Sequence, residues 1–243
     1  MVSVYLFVLS AGMMLIIPGE VRRRRIRLRI ASFYARRVCK TLKLNVERAP
    51  SVHEKVDGLL VSNHLSFFDI LVHASQHPSV FVTSCEMEET PFVGGFVKLA
   101  GGMFVERRHR RHLERDILRM ETLLRSGFSV TLFPEGTTGD GSRVLPFKAG
   151  LFSSAVKSGI SLIPTTLNYQ KWNGLPVSSE NREGLFYIGD QTLFQHLWRI
   201  FTVTSVHVHY KVHEPLIFPV ATDPRRAADE LRAIVAGSFL PCA

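Results

Sequence analysis

The chain has 243 residues, 46% of them apolar, and carries a formal net charge of +9. This length and apolar content suit one globular domain with an appendage, and they exclude a disordered chain and a multi-span membrane protein. Three cysteines, Cys39, Cys85 and Cys242, lie far apart without a C-x-x-C pair, which excludes a disulfide framework and a cysteine zinc site.

The first 17 residues contain no charged side chain. As a helix they would be about 25 Å long, slightly short of a hydrocarbon core of about 30 Å. Basic residues follow this stretch instead of preceding it, which favours a retained anchor over a cleaved signal peptide. We predict a hydrophobic membrane anchor over residues 1–20, with the catalytic part of the chain on the cytoplasmic face. A cleaved signal peptide and a buried soluble helix are the alternatives.

The positive charge is concentrated next to this stretch. Residues 21–46 hold ten of the 30 Lys/Arg and no acid, so the other 20 basic residues are balanced by 21 acidic ones. This distribution is typical of a juxtamembrane segment and not of a nucleic-acid-binding face. Apolar residues recur at helical spacing, namely Ile26, Ile30, Phe33, Tyr34, Val38 and Leu42. We predict a basic amphipathic helix over residues 21–48 on an anionic membrane surface; the alternative is an amphipathic helix packed on the domain.

Residues 49–243 alternate between β-rich runs and stretches of helical periodicity, without a linker or repeat. They predict one domain of the α/β class, with a mixed sheet flanked by helices. The predicted strands are 56–62, 80–84, 103–106, 128–133, 161–169 and 202–213. The predicted helices are 67–76, 91–99, 109–126, 149–158, 193–200 and 224–237. In such folds ligands bind beyond the strand ends.

The first of these strands runs into SNHLSFFD, which places His64 and Asp69 five residues apart. A carboxylate beside an imidazole fixes its tautomer and stabilises the imidazolium formed when the ring takes a proton. The sequence has no G-x-S-x-G elbow and no cysteine near this motif, so the pair lacks a protein nucleophile. We therefore predict that His64 deprotonates a substrate alcohol for attack on an activated acyl group. The alternative interpretation is a capped helix start with a surface histidine.

Two further motifs follow predicted strands. Arg107 lies in GGMFVERR, just past the end of the third predicted strand, and Glu135, Gly136 and Thr137 lie in LFPEGTTGDG. An arginine binds phosphate or carboxylate in bidentate fashion, and a glycine turn with hydroxyls adds donors, so we predict an anionic or polar substrate here. Glu135 is expected to hold Arg107 or to accept hydrogen bonds from substrate hydroxyls.

No metal or cofactor is predicted. His207, His209 and His213 alternate along one predicted strand, a pattern that a half-exposed edge strand with polar residues outward explains better than a zinc site. The sequence also lacks a phosphate-binding loop and a dinucleotide motif.

NHLSFFD, GGMFVERR, FPEGTTGDG and LIPTTLNY occur in the order of the four sequence blocks of the glycerolipid acyltransferases. Over roughly residues 55–215 the chain resembles the lysophospholipid acyltransferase family, which includes 1-acylglycerol-3-phosphate acyltransferases. The resemblance implies a catalytic pair in the first block, acceptor binding by the second and third, and a link of the fourth to the acyl donor. The corresponding residues are His64 and Asp69, then Arg107, Glu135, Gly136 and Thr137, and last Pro164. It also implies acyl-CoA or acyl carrier protein as co-substrate, with neither a metal nor a covalent intermediate.

The third block departs from one pattern of the family. Thr138 stands where family members acting on lysophosphatidic acid often have an arginine, and EGTT before a glycine-rich turn resembles members that use other lysolipids, including lyso-ornithine lipid. We expect a membrane-associated O-acyltransferase with 1-acylglycerol-3-phosphate as the favoured lysolipid acceptor, and lyso-ornithine lipid or another lysolipid as the alternative. Competing hypotheses are a hydrolase in which His64 activates water, and a basic peripheral membrane or nucleic-acid protein without catalysis.

Overall fold

The computed structural model describes residues 18–50, 56–90, 93–106, 110–188, 198 and 202–242. The helices are α1 (Glu20–Thr41), α2 (Phe68–Gln76), α3 (Cys85–Glu89), α4 (Val93–Leu99), α5 (Arg110–Arg125), α6 (Phe152–Ser158) and α7 (Pro224–Gly237). The strands are β1 (Leu44–Arg48), β2 (Leu59–Ser62), β3 (Val80–Ser84), β4 (Met103–Val105), β5 (Val130–Leu132), β6 (Leu162–Trp172), β7 (Leu175–Pro176) and β8 (Val206–Val212). A 3-10 turn spans Arg182–Gly184.

One eight-stranded sheet forms the centre, in the order β1-β8-β6-β2-β5-β3-β4, with β7 paired to β6. The five strands from β6 to β4 run parallel. β8 is antiparallel to β6, and β1 is parallel to β8. The sheet is therefore mixed, and the predicted α/β class with a mixed sheet flanked by helices is confirmed.

The burial of each strand follows its place in the sheet. Every residue of the central β2, LLVS, is buried, as expected for a strand covered on both faces. In β8 the valines and Tyr210 are buried, whereas His207 and His209 are partly exposed. This is the alternation of a strand with one covered face.

The basic segment contains two elements instead of the predicted single helix over 21–48. α1 ends at Thr41, and Lys43 then takes a left-handed φ of 50°. Residues 44–48 form β1, in register with residues 206–210 of β8. The alternation of Leu44 and Val46 with polar neighbours suits this edge position. The sheet therefore begins before residue 49, the predicted start of the domain.

α1 packs on the domain. Its buried residues Leu28, Ser32, Ala35 and Cys39 recur at helical spacing and face α2. This matches the alternative in which the amphipathic helix packs on the domain. The outward side is basic and includes the exposed residues Arg22, Arg29, Phe33, Arg37 and Lys40. Contact of this side with lipid stays a prediction.

The predicted membrane anchor lies outside the described residues, apart from residues 18–20. Across the described ranges, no helix combines the length and the apolar character that crossing a membrane requires. The predicted helix 193–200 also lies outside the described residues, except for Trp198.

Candidate active site

The site begins where β2 ends. Asn63 extends the pairing of β2 with β6 through its side chain: Nδ2 donates to the Leu167 carbonyl at 3.0 Å, and the Leu167 N–H donates to Oδ1 at 2.9 Å. The side-chain amide of Asn63 thus makes the pair of hydrogen bonds that a backbone amide would make in the sheet. The chain leaves the sheet directly afterwards, with His64 as the next residue.

His64 and Asp69 form a hydrogen-bonded pair. His64 Nδ1 lies 2.7 Å from Asp69 Oδ2, and the carboxylate is fully buried in the first turn of α2. The backbone N–H groups of Leu65 and Ser66 donate to the same Oδ2 at 2.6 and 2.9 Å. Because Nδ1 faces the carboxylate, Nε2 is the ring nitrogen available to a substrate, and the side chain is 20% exposed. The structure therefore brings the two residues of the first motif together.

Asp69 has a further partner on β6. The hydroxyl of the buried Tyr169 donates to Asp69 Oδ1 at 2.5 Å. Burial, and then the nearby carboxylate, raise the pKa of Tyr169 well above its usual value. The phenol therefore stays protonated and acts as a donor, so both carboxylate oxygens are engaged.

Phe133 and His73 bound the imidazole and its surroundings. The ring of Phe133 stacks on His64 with centroids 4.2 Å apart and planes 16° apart. His73 contacts the same phenylalanine edge-on at 5.5 Å. Burial lowers the pKa of His73 to about 3, so this second imidazole is neutral.

Glu135 fixes the backbone of His64. The carboxylate is buried, and its Oε1 accepts the His64 N–H at 2.8 Å while Oε2 accepts the Leu145 N–H at 3.0 Å. Burial raises the pKa of Glu135 to about 7, although the two backbone N–H groups oppose this shift. Glu135 thus accepts hydrogen bonds from two backbone N–H groups, which the sequence did not predict, and its predicted contact with Arg107 or substrate hydroxyls stays a prediction.

The glycine of the third block lies beside an open groove. Gly136 has a φ of 74°, and a Cβ at this position would lie 2.6 Å from Lys148 Nζ. A groove of about 180 Å³ is lined by apolar side chains that include Leu113, Leu132 and Phe133, and also by Gly136 and Lys148. The ring of Phe133 is therefore shared between this groove and the His64 stack. The groove is a candidate position for substrate.

The other predicted substrate-binding residues have different positions. Thr137 is exposed in the same loop, whereas Thr138 donates its hydroxyl to the Tyr187 carbonyl. Arg107 lies outside the described residues. Pro164 is buried within β6, in register with Val61, and its carbonyl accepts the His213 N–H at 2.9 Å.

Three residues near the site were missed from the sequence. Tyr169 and Lys148 are two of them, and Arg232 on α7 is the third, donating to the Leu145 and Val144 carbonyls at 3.0 and 2.9 Å. Arg232 thereby holds the loop that binds Glu135. The contacts of Tyr169 and Arg232 join segments far apart in sequence, and no motif in the sequence identified Lys148.

The histidines in and directly after β8 have separate polar partners. His207 lies 3.3 Å from the Asn45 amide, and His213 lies 2.8 Å from the Thr166 hydroxyl. Among the described residues, no group of three or more His, Cys, Asp or Glu could hold a metal ion.

The sequence is similar to characterised acyltransferases. The acyltransferase family model matches residues 43–168. Lyso-ornithine lipid O-acyltransferase of Brucella abortus is 30% identical over 223 residues, covering 87% of this chain and 84% of that protein. 1-acyl-sn-glycerol-3-phosphate acyltransferase of Neisseria gonorrhoeae is 30% identical over 202 residues, covering 80% and 76%.

The fold is also similar to that of a solved structure. The crystal structure of the 1-acyl-sn-glycerophosphate acyltransferase from Thermotoga maritima superimposes with a TM-score of 0.63 at 20% identity, covering 94% of this chain and 84% of that one. The four sequence blocks, the match to the family model and the share of this chain covered by the two relatives all indicate the same family. The chain belongs to the acyltransferase family.

Proposed function

We propose that the protein is a membrane-associated O-acyltransferase that moves an acyl group from acyl-CoA or acyl carrier protein to the free hydroxyl of a lysolipid. The observation that carries the proposal is the His64–Asp69 pair, in which a fully buried carboxylate lies 2.7 Å from Nδ1. This arrangement leaves Nε2 to act as a general base. Membership of the acyltransferase family supports the type of reaction.

The proposed transfer needs one base and no protein nucleophile. His64 Nε2 takes the proton of the acceptor hydroxyl, and the hydroxyl oxygen attacks the thioester carbonyl carbon. The C–S bond breaks, and the departing thiolate takes the proton from the imidazolium, so the products are an ester and a free thiol. Asp69 stabilises the imidazolium between the two proton transfers. Within the described ranges no hydroxyl or thiol is hydrogen-bonded to Nε2, which supports direct transfer over an acyl-enzyme.

The favoured acceptor is 1-acylglycerol-3-phosphate, with lyso-ornithine lipid or another lysolipid as the alternative. Relatives named for both acceptors match this chain with similar identity. Gly136 and Thr137, beside the groove, are proposed to contact the acceptor together with Arg107. Glu135 serves this role indirectly, because it positions the His64 backbone. Pro164 is proposed to act on the donor side.

The proposed site of action is the cytoplasmic face of a membrane. The outward side of α1 presents the basic residues that an anionic lipid surface attracts. Phe33 is exposed among them, and an aromatic ring next to cations is typical of interfacial helices. Residues 1–17 are proposed to insert into the same membrane.

The test is an acyl-transfer assay on membranes that contain the protein or its His64→Ala variant. Radiolabelled acyl-CoA or acyl carrier protein is supplied with a panel of lysolipids. We expect label in one diacyl product, reduced by about 10²–10⁴-fold in His64→Ala. His209→Ala, which changes a partly exposed histidine on β8, is the matched control and should retain the wild-type rate.

The distribution of label separates the hypotheses. Label that appears as free fatty acid, with or without acceptor, would indicate a hydrolase. Transfer at the wild-type rate by folded His64→Ala would refute the assigned base.

A further inference from the structure

We propose that Lys148 binds the anionic group of the acceptor, a phosphate or a carboxylate, in the groove beside His64. The inference rests on the proposed function and specifies one subsite of the same site. Lys148 lies outside the residues that the four sequence blocks identify.

The side chain of Lys148 crosses the glycine of the third block. A Cβ at Gly136 would lie 2.6 Å from Nζ and 3.1 Å from Cε of Lys148. Any side chain at position 136 would therefore push the ammonium away, and the φ of 74° favours glycine as well. The Lys148 N–H donates to the Pro134 carbonyl at 2.9 Å, which holds the start of the side chain on the same loop.

The charge of Lys148 is available to a ligand. The residue is exposed, and its ammonium makes no ion pair or hydrogen bond with any part of the chain that the structure describes. Asp116, which also lines the groove, is already engaged: it accepts the Glu106 N–H at 2.9 Å and Arg119 Nη1 at 3.2 Å. The negative charge of Asp116 is thus balanced within the protein, whereas the positive charge of the Lys148 ammonium is not.

Position 138 does not supply the charge that an arginine would supply there. Thr138 directs its hydroxyl to the Tyr187 carbonyl. Lys148, ten residues further along the chain, places a cation beside Gly136 of the same loop. Phe133 lines the groove and stacks on His64, so a headgroup held by Lys148 lies next to the proposed base. An ammonium paired with phosphate or carboxylate forms a charge-assisted hydrogen bond, stronger than a neutral one.

The kinetic test compares Lys148→Gln and Lys148→Arg with the control Lys157→Gln, which neutralises an exposed lysine on α6. The acceptors are 1-acylglycerol-3-phosphate, lyso-ornithine lipid and an uncharged monoacylglycerol. Lys148→Gln should lower kcat/KM for the anionic acceptor at least ~10-fold, mainly through KM. Lys148→Arg should retain most of the activity, and the monoacylglycerol rate, the donor KM and the control should stay unchanged. If kcat/KM falls only with 1-acylglycerol-3-phosphate, Lys148 binds a phosphate. If kcat/KM falls only with lyso-ornithine lipid, Lys148 binds a carboxylate.

A binding measurement makes the result independent of turnover. Radiolabelled 1-acylglycerol-3-phosphate and lyso-ornithine lipid in detergent micelles are titrated into His64→Ala with Lys148 intact or changed to Gln. At least ~10-fold weaker binding of one of them is expected. Equal binding of both would overturn the role of Lys148, as would a rise in the donor KM alone. A protein that binds acceptor through Lys148 but transfers no acyl group would contradict the proposed function and support the subsite.

Discussion

Tyr169→Phe removes one hydroxyl from the surroundings of Asp69 and keeps the ring. In the native protein this hydroxyl is the donor to Oδ1, at 2.5 Å, whereas Oδ2 receives His64 Nδ1 and two backbone N–H groups. Both side chains are buried, so bulk water does not replace the lost donor. The variant therefore leaves half of a buried carboxylate without its hydrogen bond.

Two effects of this change are expected. An unsatisfied buried acceptor costs about 1–3 kcal/mol of folding free energy. The carboxylate of Asp69, no longer held by the phenol, also orients the His64 ring less firmly. We therefore expect kcat to fall by about 10-fold, less than for His64→Ala, because the proposed general base itself remains.

The assay is acyl transfer at one fixed pH, with unfolding measured in parallel. Tyr210→Phe is the matched control, since its buried hydroxyl lies 3.3 Å from His73 Nδ1 and not on Asp69. We expect a similar loss of stability in both variants and a lowered kcat only in Tyr169→Phe. An unchanged kcat in folded Tyr169→Phe would show that Tyr169 merely packs.

Two other predictions concern Glu135 and α1. Burial raises the pKa of Glu135 from 4.5 to about 7, so its contribution to stability is full below about pH 4.5 and is lost as the pH rises through 7. The free energy of urea unfolding of Glu135→Gln should lack this pH dependence, which amounts to at most about 3 kcal/mol. If the free energy of unfolding changed with pH in the same way in both proteins, the prediction would be wrong. Changing Arg22, Arg29 and Arg37 to Gln should weaken flotation with anionic vesicles by about 100-fold, at roughly 1 kcal/mol for each charge. Neutral vesicles serve as the control, and unchanged flotation would remove the basic side of α1 from the membrane hypothesis.

Elements with strong local signals were predicted closely. α7 spans the predicted residues 224–237, because Asp223 accepts the Arg225 N–H at 2.9 Å as an N-cap and Pro224 occupies the first turn. The strand 80–84 also matches its prediction. β1 and α3 were missed. β1 is an edge strand whose partner β8 lies more than 150 residues away, and its lysine-flanked sequence continues the basic pattern of α1. α3 has only five residues, too few for a periodic pattern.

The residues of the site likewise fall into those that a local sequence motif predicts and those that it does not. His64 and Asp69 share one strand–loop–helix turn, so their spacing was enough to predict that they meet. Tyr169 reaches Asp69 because β6 lies next to β2, and this neighbour relation depends on strand order, which local sequence does not supply. Lys148 was missed because its place beside Gly136 depends on the path of the loop that follows the third block.

Two carboxylates hold His64, one through its ring and the other through its backbone. Asp69 contacts the ring and Glu135 the backbone N–H, at 2.7 and 2.8 Å. If Glu135 were lost, the ring would keep its partner while the chain that carries it could move relative to β5. If Asp69 were lost, the backbone would stay in place while the ring could rotate. In the proposed mechanism, catalysis by Nε2 requires both constraints, because proton transfer depends on where the ring lies and on which nitrogen faces the substrate. We therefore propose that the third block contributes to acyl transfer through the position of His64 as well as through the groove beside Phe133.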